Sequence, residues 1–315
     1  MSQHQTAEIS VVVPVLDEAG SLALLYRELT DVLEALRRPY ELVFVDDGSR
    51  DESFRILEKL HRQDDRVRVL QLRRNFGKAA ALSVGFAHAR GQIVATLDGD
   101  LQDDPAELPR LLDALEDGYD LVSGWKVQRQ DPASKRWPSR LFNAVTGRLT
   151  GLRLHDFNSG LKVYRRPVVE ELRLYGELHR FIPVLASRRG FAVGEIPVNH
   201  RPRRFGRSKY GVARFVRGFL DLLTVLFLTR YTRRPLHLFG GLGLLSLSIG
   251  VLANLYLTAL WLAGVRPIGN RPLLAFGVLC ILVGIQFVSL GLLSELVLSF
   301  QARSSEDVSI RSRLG

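Results

Sequence analysis

Two long stretches without a charged residue constrain this 315-residue chain more than any other feature. Residues 235–265 and 272–294 contain no Lys, Arg, Asp or Glu and are dominated by Leu, Gly and other apolar residues. Each exceeds the roughly 20 apolar residues that span a bilayer. One such stretch could be the core helix of a soluble protein; two in succession predict a membrane hairpin. We place it at 235–300, with helices over about 236–263 and 273–298, joined by the short link Arg266-Pro267-Ile268-Gly269-Asn270-Arg271. Gly240, Gly241, Gly243 and Gly250 on the first helix permit close packing, either within one chain or between copies in a homo-oligomer.

The basic residues fix an orientation. The chain carries 43 Lys+Arg against 33 Asp+Glu, a net charge of +10. Arg230, Arg233 and Arg234 precede the first apolar stretch, and Arg303, Arg311 and Arg313 follow the second; the loop has only Arg266 and Arg271. The positive-inside rule then predicts a multi-pass protein of the plasma (inner) membrane, with the N-terminal region and the 301–315 tail in the cytosol. Met1 to Glu8 does not read as a signal peptide. Concentration of Arg beside the membrane segments explains the charge better than nucleic acid does. The single cysteine, Cys280, excludes an intrachain disulfide and a cysteine metal cage.

Upstream, residues 8–125 alternate strand and helix patterns. Apolar runs at 9–13 (stopped by Pro14), 41–45, 67–72, 93–97 and 120–124 read as strands. Helical spacing appears at 21–36, 53–62, 79–89 and about 106–116. This succession predicts an α/β fold with a doubly wound, mostly parallel sheet and helices on both faces. Residues 125–200 are less regular. From Arg201 to Arg217 there are seven basic residues and no acidic one. Residues 212–231 read as an amphipathic helix in the membrane interface, within a juxtamembrane region at 211–234.

Ligands of open α/β sheets bind beyond the carboxyl ends of the strands. Three strand ends here carry carboxylates: Pro14-Val15-Leu16-Asp17-Glu18, Asp46-Asp47-Gly48-Ser49 and Asp98-Gly99-Asp100. The first two suit hydrogen bonds from a base N–H or ribose hydroxyls. The third offers hard oxygen ligands to a divalent cation, which can neutralise a diphosphate. Each is also compatible with a plain turn capping the next helix; the three in this order are more specific.

With these motifs the chain resembles the family 2 glycosyltransferases of GT-A fold, and within them the polyprenyl-phosphate glycosyltransferases. The resemblance rests on Val12-Val13-Pro14-Val15-Leu16-Asp17-Glu18, Val45-Asp46-Asp47-Gly48-Ser49-Arg50-Asp51 and Arg74-Asn75-Phe76-Gly77-Lys78. It continues through Leu97-Asp98-Gly99-Asp100-Leu101-Gln102-Asp103-Asp104-Pro105, Asp156-Phe157-Asn158-Ser159-Gly160 and Arg204-Phe205-Gly206-Arg207-Ser208-Lys209-Tyr210. It implies a cytosolic transferase domain over 1–210. Pro14, Asp17, Glu18, Asp46, Lys78 and Asp98 would bind the nucleotide. Asp98, Asp100 and Gln102 would hold Mg²⁺ or Mn²⁺.

By the same resemblance, Lys126, Arg136, Ser139 and Arg140 would face the lipid phosphate, and Arg204, Ser208 and Lys209 would form a basic flap on the phosphates. Lys126 stands where relatives often have Arg and lacks its bidentate fork. Asp100 would act at the reacting centre, and Asp156 and Asp103 are the candidates for a general base. His179-Arg180-Phe181 would line the acceptor side.

The reaction implied is a single inverting displacement that moves a hexose, foremost glucose, from a UDP-sugar to undecaprenyl phosphate. GDP-mannose is the alternative donor. A processive polysaccharide synthase would carry a Gln-x-x-Arg-Trp motif, but Ala133 stands at the Gln position before Arg136-Trp137. A non-catalytic membrane scaffold would have no need of Asp98, Asp100 and Gln102.

Overall fold

The structure is a computed structural model that describes residues 7–127, 143, 145–148, 150–202, 235–265, 267 and 272–301. The expected juxtamembrane helix at 211–234, the flap residues Arg204, Ser208 and Lys209, and Arg136, Ser139 and Arg140 lie outside the described residues. The chain divides into two compact units, Met1–Val225 and Leu226–Gly315.

In the first unit the elements run β1 (Ile9–Val15), α1 (Leu22–Ala35), β2 (Tyr40–Asp46), α2 (Ser53–Gln63), β3 (Val67–Gln71), α3 (Lys78–His88) and β4 (Ile93–Thr96). A 3₁₀ turn, Pro105–Glu107, leads into α4 (Leu108–Glu116) and β5 (Leu121–Lys126). Then come β6 (Lys162–Arg165), α5 (Arg166–Glu171), a 3₁₀ turn at Leu178–Phe181, α6 (Ile182–Arg188) and β7 (Val193–Val198). Among the described residues these strands form one seven-stranded sheet in the order β3-β2-β1-β4-β6-β5-β7. β3, β2, β1 and β4 are parallel, as the βαβ succession requires. β6 runs antiparallel to both its neighbours, and β7 returns parallel to β5.

Both faces of the sheet are covered. Val11, Val13 and Val15 of β1 pack with Leu22, Leu25, Leu29 and Leu33 of α1 and with Leu108, Leu111, Leu112 and Leu115 of α4. The α1 leucines recur at helical spacing, and each fully buried side chain contributes roughly 1.5–3 kcal/mol. Val12, pointing to the opposite face, packs with Ala81, Leu82 and Phe86 of α3 and with Ile182 of α6.

Pro14 does not stop β1. The strand continues to Val15, with Pro14 opposite Val45. Pairing with β4 ends at Val12, so beyond that point β1 has a partner on one side only, where a residue lacking an N–H is tolerated. The strands β6 and β7 were not marked by the alternation of apolar runs, because each is short and carries polar or proline residues.

The second unit contains α7 (Pro235–Leu262) and α8 (Pro272–Gln301). Their apolar windows have mean hydropathies of 1.9 and 2.5, and only 17% and 11% of those windows are buried. A soluble core helix would be mostly covered, so these are helices suited to crossing a membrane. Close packing of the glycines occurs within the chain. A Cβ on Gly243 would lie 2.8 Å from the Gly284 carbonyl oxygen, and one on Gly250 would lie 2.5 Å from that of Gly277. Ser246 Oγ donates to the Cys280 carbonyl at 2.7 Å between them. Gly240 would meet only Leu236 of its own helix, and Gly241 nothing within 4 Å.

Candidate active site

The parallel register brings the loops after β1, β2 and β4 to one edge, where they are laced together. Val15 lies opposite Asp46, so the two loops leave the sheet side by side. The Asp17 amide donates to Ser49 Oγ at 2.9 Å, and the Arg50 amide returns a bond to the Asp17 carboxylate at 2.7 Å. Asp17 takes a left-handed φ of 53° to make this exchange. The Glu18 amide donates to Ser53 Oγ at 2.9 Å, and Ser21 Oγ donates to the Gly99 carbonyl at 2.6 Å, tying the first loop to the third.

At the second strand end, Asp46 is fully buried. Its Oδ1 accepts the Ser49 amide at 3.1 Å, while Oδ2 has no hydrogen-bond partner among the described residues. A buried carboxylate oxygen in that state favours a donor from a ligand. Asp47 turns the other way and accepts the Phe76 and Gly77 amides at 2.7 and 2.9 Å, fixing the start of α3 and thereby Lys78.

The third strand end is an electrostatic cluster. Lys78 Nζ is paired with Asp98 Oδ1. Lys126 Nζ lies 2.9 Å from Asp103 Oδ1, both side chains being largely buried. Asp103 Oδ2 also accepts the Asp98 amide at 3.3 Å. Burial alone would raise the Asp98 pKa; Lys78, Lys126 and Lys162 outweigh it and hold the carboxyl at about 2. Burial presses Lys126 down, yet the Asp103 and Asp98 carboxylates keep its ammonium above the ordinary range. Asp100 is almost covered, and its Oδ1 accepts the Gln102 amide at 3.1 Å. The Gln102 carbonyl accepts the Arg201 amide at 2.9 Å, and the Arg201 guanidinium bridges Glu28 and Asp104 at 2.5 and 2.7 Å. Asp104 also caps the 3₁₀ turn through the Ala106 amide.

Asp156 enters from the loop before β6 and is buried. Its Oδ1 accepts the Asn158 amide at 3.0 Å. The preceding His155 is pinned: its amide donates to the Glu195 carboxylate at 2.9 Å and its ring stacks on Trp125 at 4.0 Å. Gly160 is obligatory at this turn, since a Cβ would lie 2.5 Å from Asp103 Oδ2 and 2.7 Å from Asp98 Cγ.

The structure therefore gathers Pro14, Lys78, Asp98, Asp100, Gln102, Asp103, Lys126 and Asp156 at one sheet edge, with Asp17, Glu18 and Asp46 beside them. Lys126, read as a lipid-phosphate ligand, here faces Asp103 in the interior. Asp103, read as a candidate base, is held between Lys126 and the Asp98 amide.

One member was missed altogether. Lys162, on β6, is buried, donates to the Ser159 carbonyl, and faces the same carboxylates. Burial and Lys78 push it down to about 8, while Asp156, Asp98 and Asp103 support the charge. The signal was a lone Lys inside the apolar run Leu161-Lys162-Val163-Tyr164, since a buried Lys is rare unless paired. His179, expected on the acceptor side, lines the same small void as Lys78, Asp98 and Lys162. Burial and Lys78 hold its pKa well below the usual imidazole range.

Asp98 and Asp100 supply hard oxygen donors. Among the described residues no set of three or more His, Cys, Asp or Glu side chains is arranged to hold a metal. The carboxylates available there among the described residues are those of Asp98 and Asp100, on either side of Gly99. Two carboxylates are hard oxygen donors of the kind that Mg²⁺ or Mn²⁺ would accept beside phosphate oxygens.

This arrangement is that of a GT-A-like fold, and comparison with known proteins agrees. Residues 10–173 match the family described as Glycosyl transferase family 2. The dodecaprenyl-phosphate galacturonate synthase of Rhizobium johnstonii is 40% identical over 305 residues, covering 93% of this chain and 88% of that protein. The undecaprenyl-phosphate 4-deoxy-4-formamido-L-arabinose transferase of Pseudomonas aeruginosa is 40% identical over 309 residues, covering 97% and 88%. The crystal structure of glucosyl-3-phosphoglycerate synthase from Mycobacterium tuberculosis with Mn²⁺ and UDP-glucose aligns with a TM-score of 0.54 at 22% identity. It covers 70% of this chain and 78% of that one. The chain belongs to glycosyl transferase family 2, with polyprenyl-phosphate sugar transferases among its relatives.

Proposed function

We propose that the protein is a membrane-anchored, inverting transferase that moves a pyranose from a UDP-sugar to a polyprenyl phosphate on the cytosolic face. The observation that carries this reading is the joined set of three strand-end carboxylate motifs, with a buried Asp46 oxygen unpartnered among the described residues at one end and Asp98 and Asp100 at the other. The relatives named above act on dodecaprenyl and undecaprenyl phosphates, which supports the acceptor class. Their sugars, galacturonate and 4-deoxy-4-formamido-L-arabinose, stand beside glucose as the donors to test.

Asp46 accepts an N–H from the base, and Asp17 and Glu18 lie beside the ribose. Asp98, Asp100 and Gln102 would hold Mg²⁺ or Mn²⁺; when bound, the cation neutralises the leaving diphosphate. A phosphate acceptor is already largely ionised at neutral pH, with a second pKa of about 6, so the chain need not remove a proton from it. Its oxygen attacks the anomeric carbon as the bond to UDP breaks, and UDP departs with the bonding pair. Asp156 then serves to orient the acceptor, held by the Asn158 amide and the His155–Trp125 stack. Arg136, Ser139 and Arg140 are assigned to the lipid phosphate and Arg204, Ser208 and Lys209 to the diphosphate. Domain limits at 210 and 234 and cytosolic termini complete the reading.

The test is a donor panel with undecaprenyl phosphate and a divalent cation, followed by organic extraction. A labelled lipid-phosphate sugar from one UDP-sugar is expected. No lipid product from any donor, or full activity in Asp100→Ala, would overturn the reading.

A further inference from the structure

The turn that carries Asp98, Asp100 and Gln102 holds a backbone that a free chain would leave. Leu101, between Asp100 and Gln102, takes a left-handed φ of 61° although it has a Cβ. Such a conformation persists only where the surroundings over-determine it. One hold is the Leu101 side chain, buried in the core with leucines of α1 and α4. The other is the loop after β7, which runs alongside residues 102–107. The Arg201 amide donates to the Gln102 carbonyl at 2.9 Å, and His200 pairs with Asp103 in an isolated antiparallel bridge. Asn199 donates its amide to Glu107 Oε1 and its Nδ2 to Asp104 Oδ2, both at 3.1 Å.

The Arg201 side chain ties this loop pair to α1. Its Nη1 donates to Glu28 Oε2 at 2.5 Å and its Nη2 to Asp104 Oδ1 at 2.7 Å. The side chains of Arg201 and Glu28 are only a quarter exposed, so water and salt screen the bridge less than on an open surface. Glu28 stands between Leu25 and Leu29, which are packed in the core with β1. Asp104 lies two residues from Gln102, whose amide donates to Asp100 Oδ1. One series of contacts therefore runs from α1 through Arg201 and Asp104 to Gln102 and Asp100.

We propose that Arg201 is a positioning residue of the transfer reaction: its bridge between Glu28 and Asp104 keeps Leu101 in the left-handed turn that sets Asp100 and Gln102. This rests on the transferase reading above and adds to it a residue that touches no reactant. Without the bridge the turn relaxes part of the time. The loops after β1 and β2 keep their own hydrogen bonds, so the nucleoside still binds. Alignment at the reacting end is lost, and the turnover number falls while the donor KM holds.

The experiment uses the full-length protein in detergent. Hydrogen exchange read by mass spectrometry follows the turn without substrate. Steady-state kinetics follow transfer from the UDP-sugar that the donor panel yields. Arg201→Met removes the guanidinium and keeps its stem; exchange in peptides covering 100–107 should quicken about tenfold, with β1 and β2 within about twofold of the parent. The same variant should lower kcat about tenfold and leave the donor KM within about twofold. Glu28→Gln cuts the bridge at its other end and should lower kcat about threefold, and the double variant should be no slower than Arg201→Met. Arg201→Lys, which lacks the fork for two carboxylates, should fall between Arg201→Met and the parent.

Faster exchange with kcat unchanged overturns the proposal, as does a lower kcat with exchange over 100–107 unchanged. Exchange that rises equally in β1 and β2 marks general loosening and overturns it too. In each of these cases a parent that makes lipid-linked sugar leaves the transferase reading standing. A parent with no transfer from any donor overturns that reading and the proposal with it. Should Arg201→Met fail to fold, Glu28→Gln and Arg201→Lys decide: regional exchange and kcat must move together in both.

Discussion

Replacing Asp103 by Asn tests whether this carboxylate is an anchor of the site. Asn has nearly the same shape and retains an oxygen for the Asp98 amide, so the change removes little besides the charge opposite Lys126. At 2.9 Å and an effective dielectric of 20, the direct attraction is about 6 kcal/mol, most of it offset by the cost of desolvating both ions. Removing one partner of a buried pair typically costs 3–5 kcal/mol, because the remaining charge stays buried. Asp98 and Asp156 still face Lys126, which places the expected loss near 3 kcal/mol. For a unit of this size that corresponds to a melting point lower by roughly 6–12 °C. Adding Lys126→Met to Asp103→Asn should recover at least half of the loss, since the ammonium that lost its 2.9 Å partner is gone and Asp98 keeps Lys78. Differential scanning fluorimetry on the three variants reads this directly. The reasoning is refuted if Asp103→Asn melts with the parent, or if the double variant melts below the single one.

Gly160→Ala would drive a methyl into the Asp98 and Asp103 carboxylates. A displacement near 1 Å at the reacting centre should lower transfer by about a hundredfold, measured as kcat/KM, with a modest loss of stability. In the hairpin, Ser246→Cys should cross-link readily to Cys280, whose carbonyl it meets. Adding Gly250→Leu, which collides with the Gly277 carbonyl, should slow that cross-link about tenfold under mild oxidation. Tyr40 provides a pH test. Burial raises its hydroxyl to about 12 from 10, so the folded state keeps the proton that the unfolded chain releases. Its contribution is complete below pH 10 and is lost as pH climbs through 12. Tyr40→Phe should remove that alkaline limb in a denaturant titration and leave neutral-pH stability equal or higher, because the hydroxyl lacks a partner among the described residues.

The parallel half of the sheet was legible because its strands are short apolar runs alternating with helical segments, and the three acidic motifs fall where such strands end. The half beyond β4 was not. β6 is four residues long and inverted, and its Lys interrupts the apolar run that would have marked it. Its burial follows only from partners far away in sequence. The same is true of Lys126: its neighbours in sequence suggest a surface cation, and only the approach of Asp103 across the strand end shows a buried pair. Pro14 misled in a different way, since a proline ends a central strand but not one whose second neighbour has already stopped. The glycines of α7 left intrachain and interchain packing equally open until the register with α8 was seen.

Formation of a lipid-phosphate sugar tests the central claim most directly. Full-length protein, undecaprenyl phosphate, Mg²⁺ or Mn²⁺ and a panel of labelled UDP-sugars should give one butanol-soluble product with the anomeric configuration inverted. UDP should be released in equal amount, and Asp100→Ala should abolish both. A water-soluble polymer, sugar released to water without lipid product, or transfer that persists in Asp100→Ala would contradict the account.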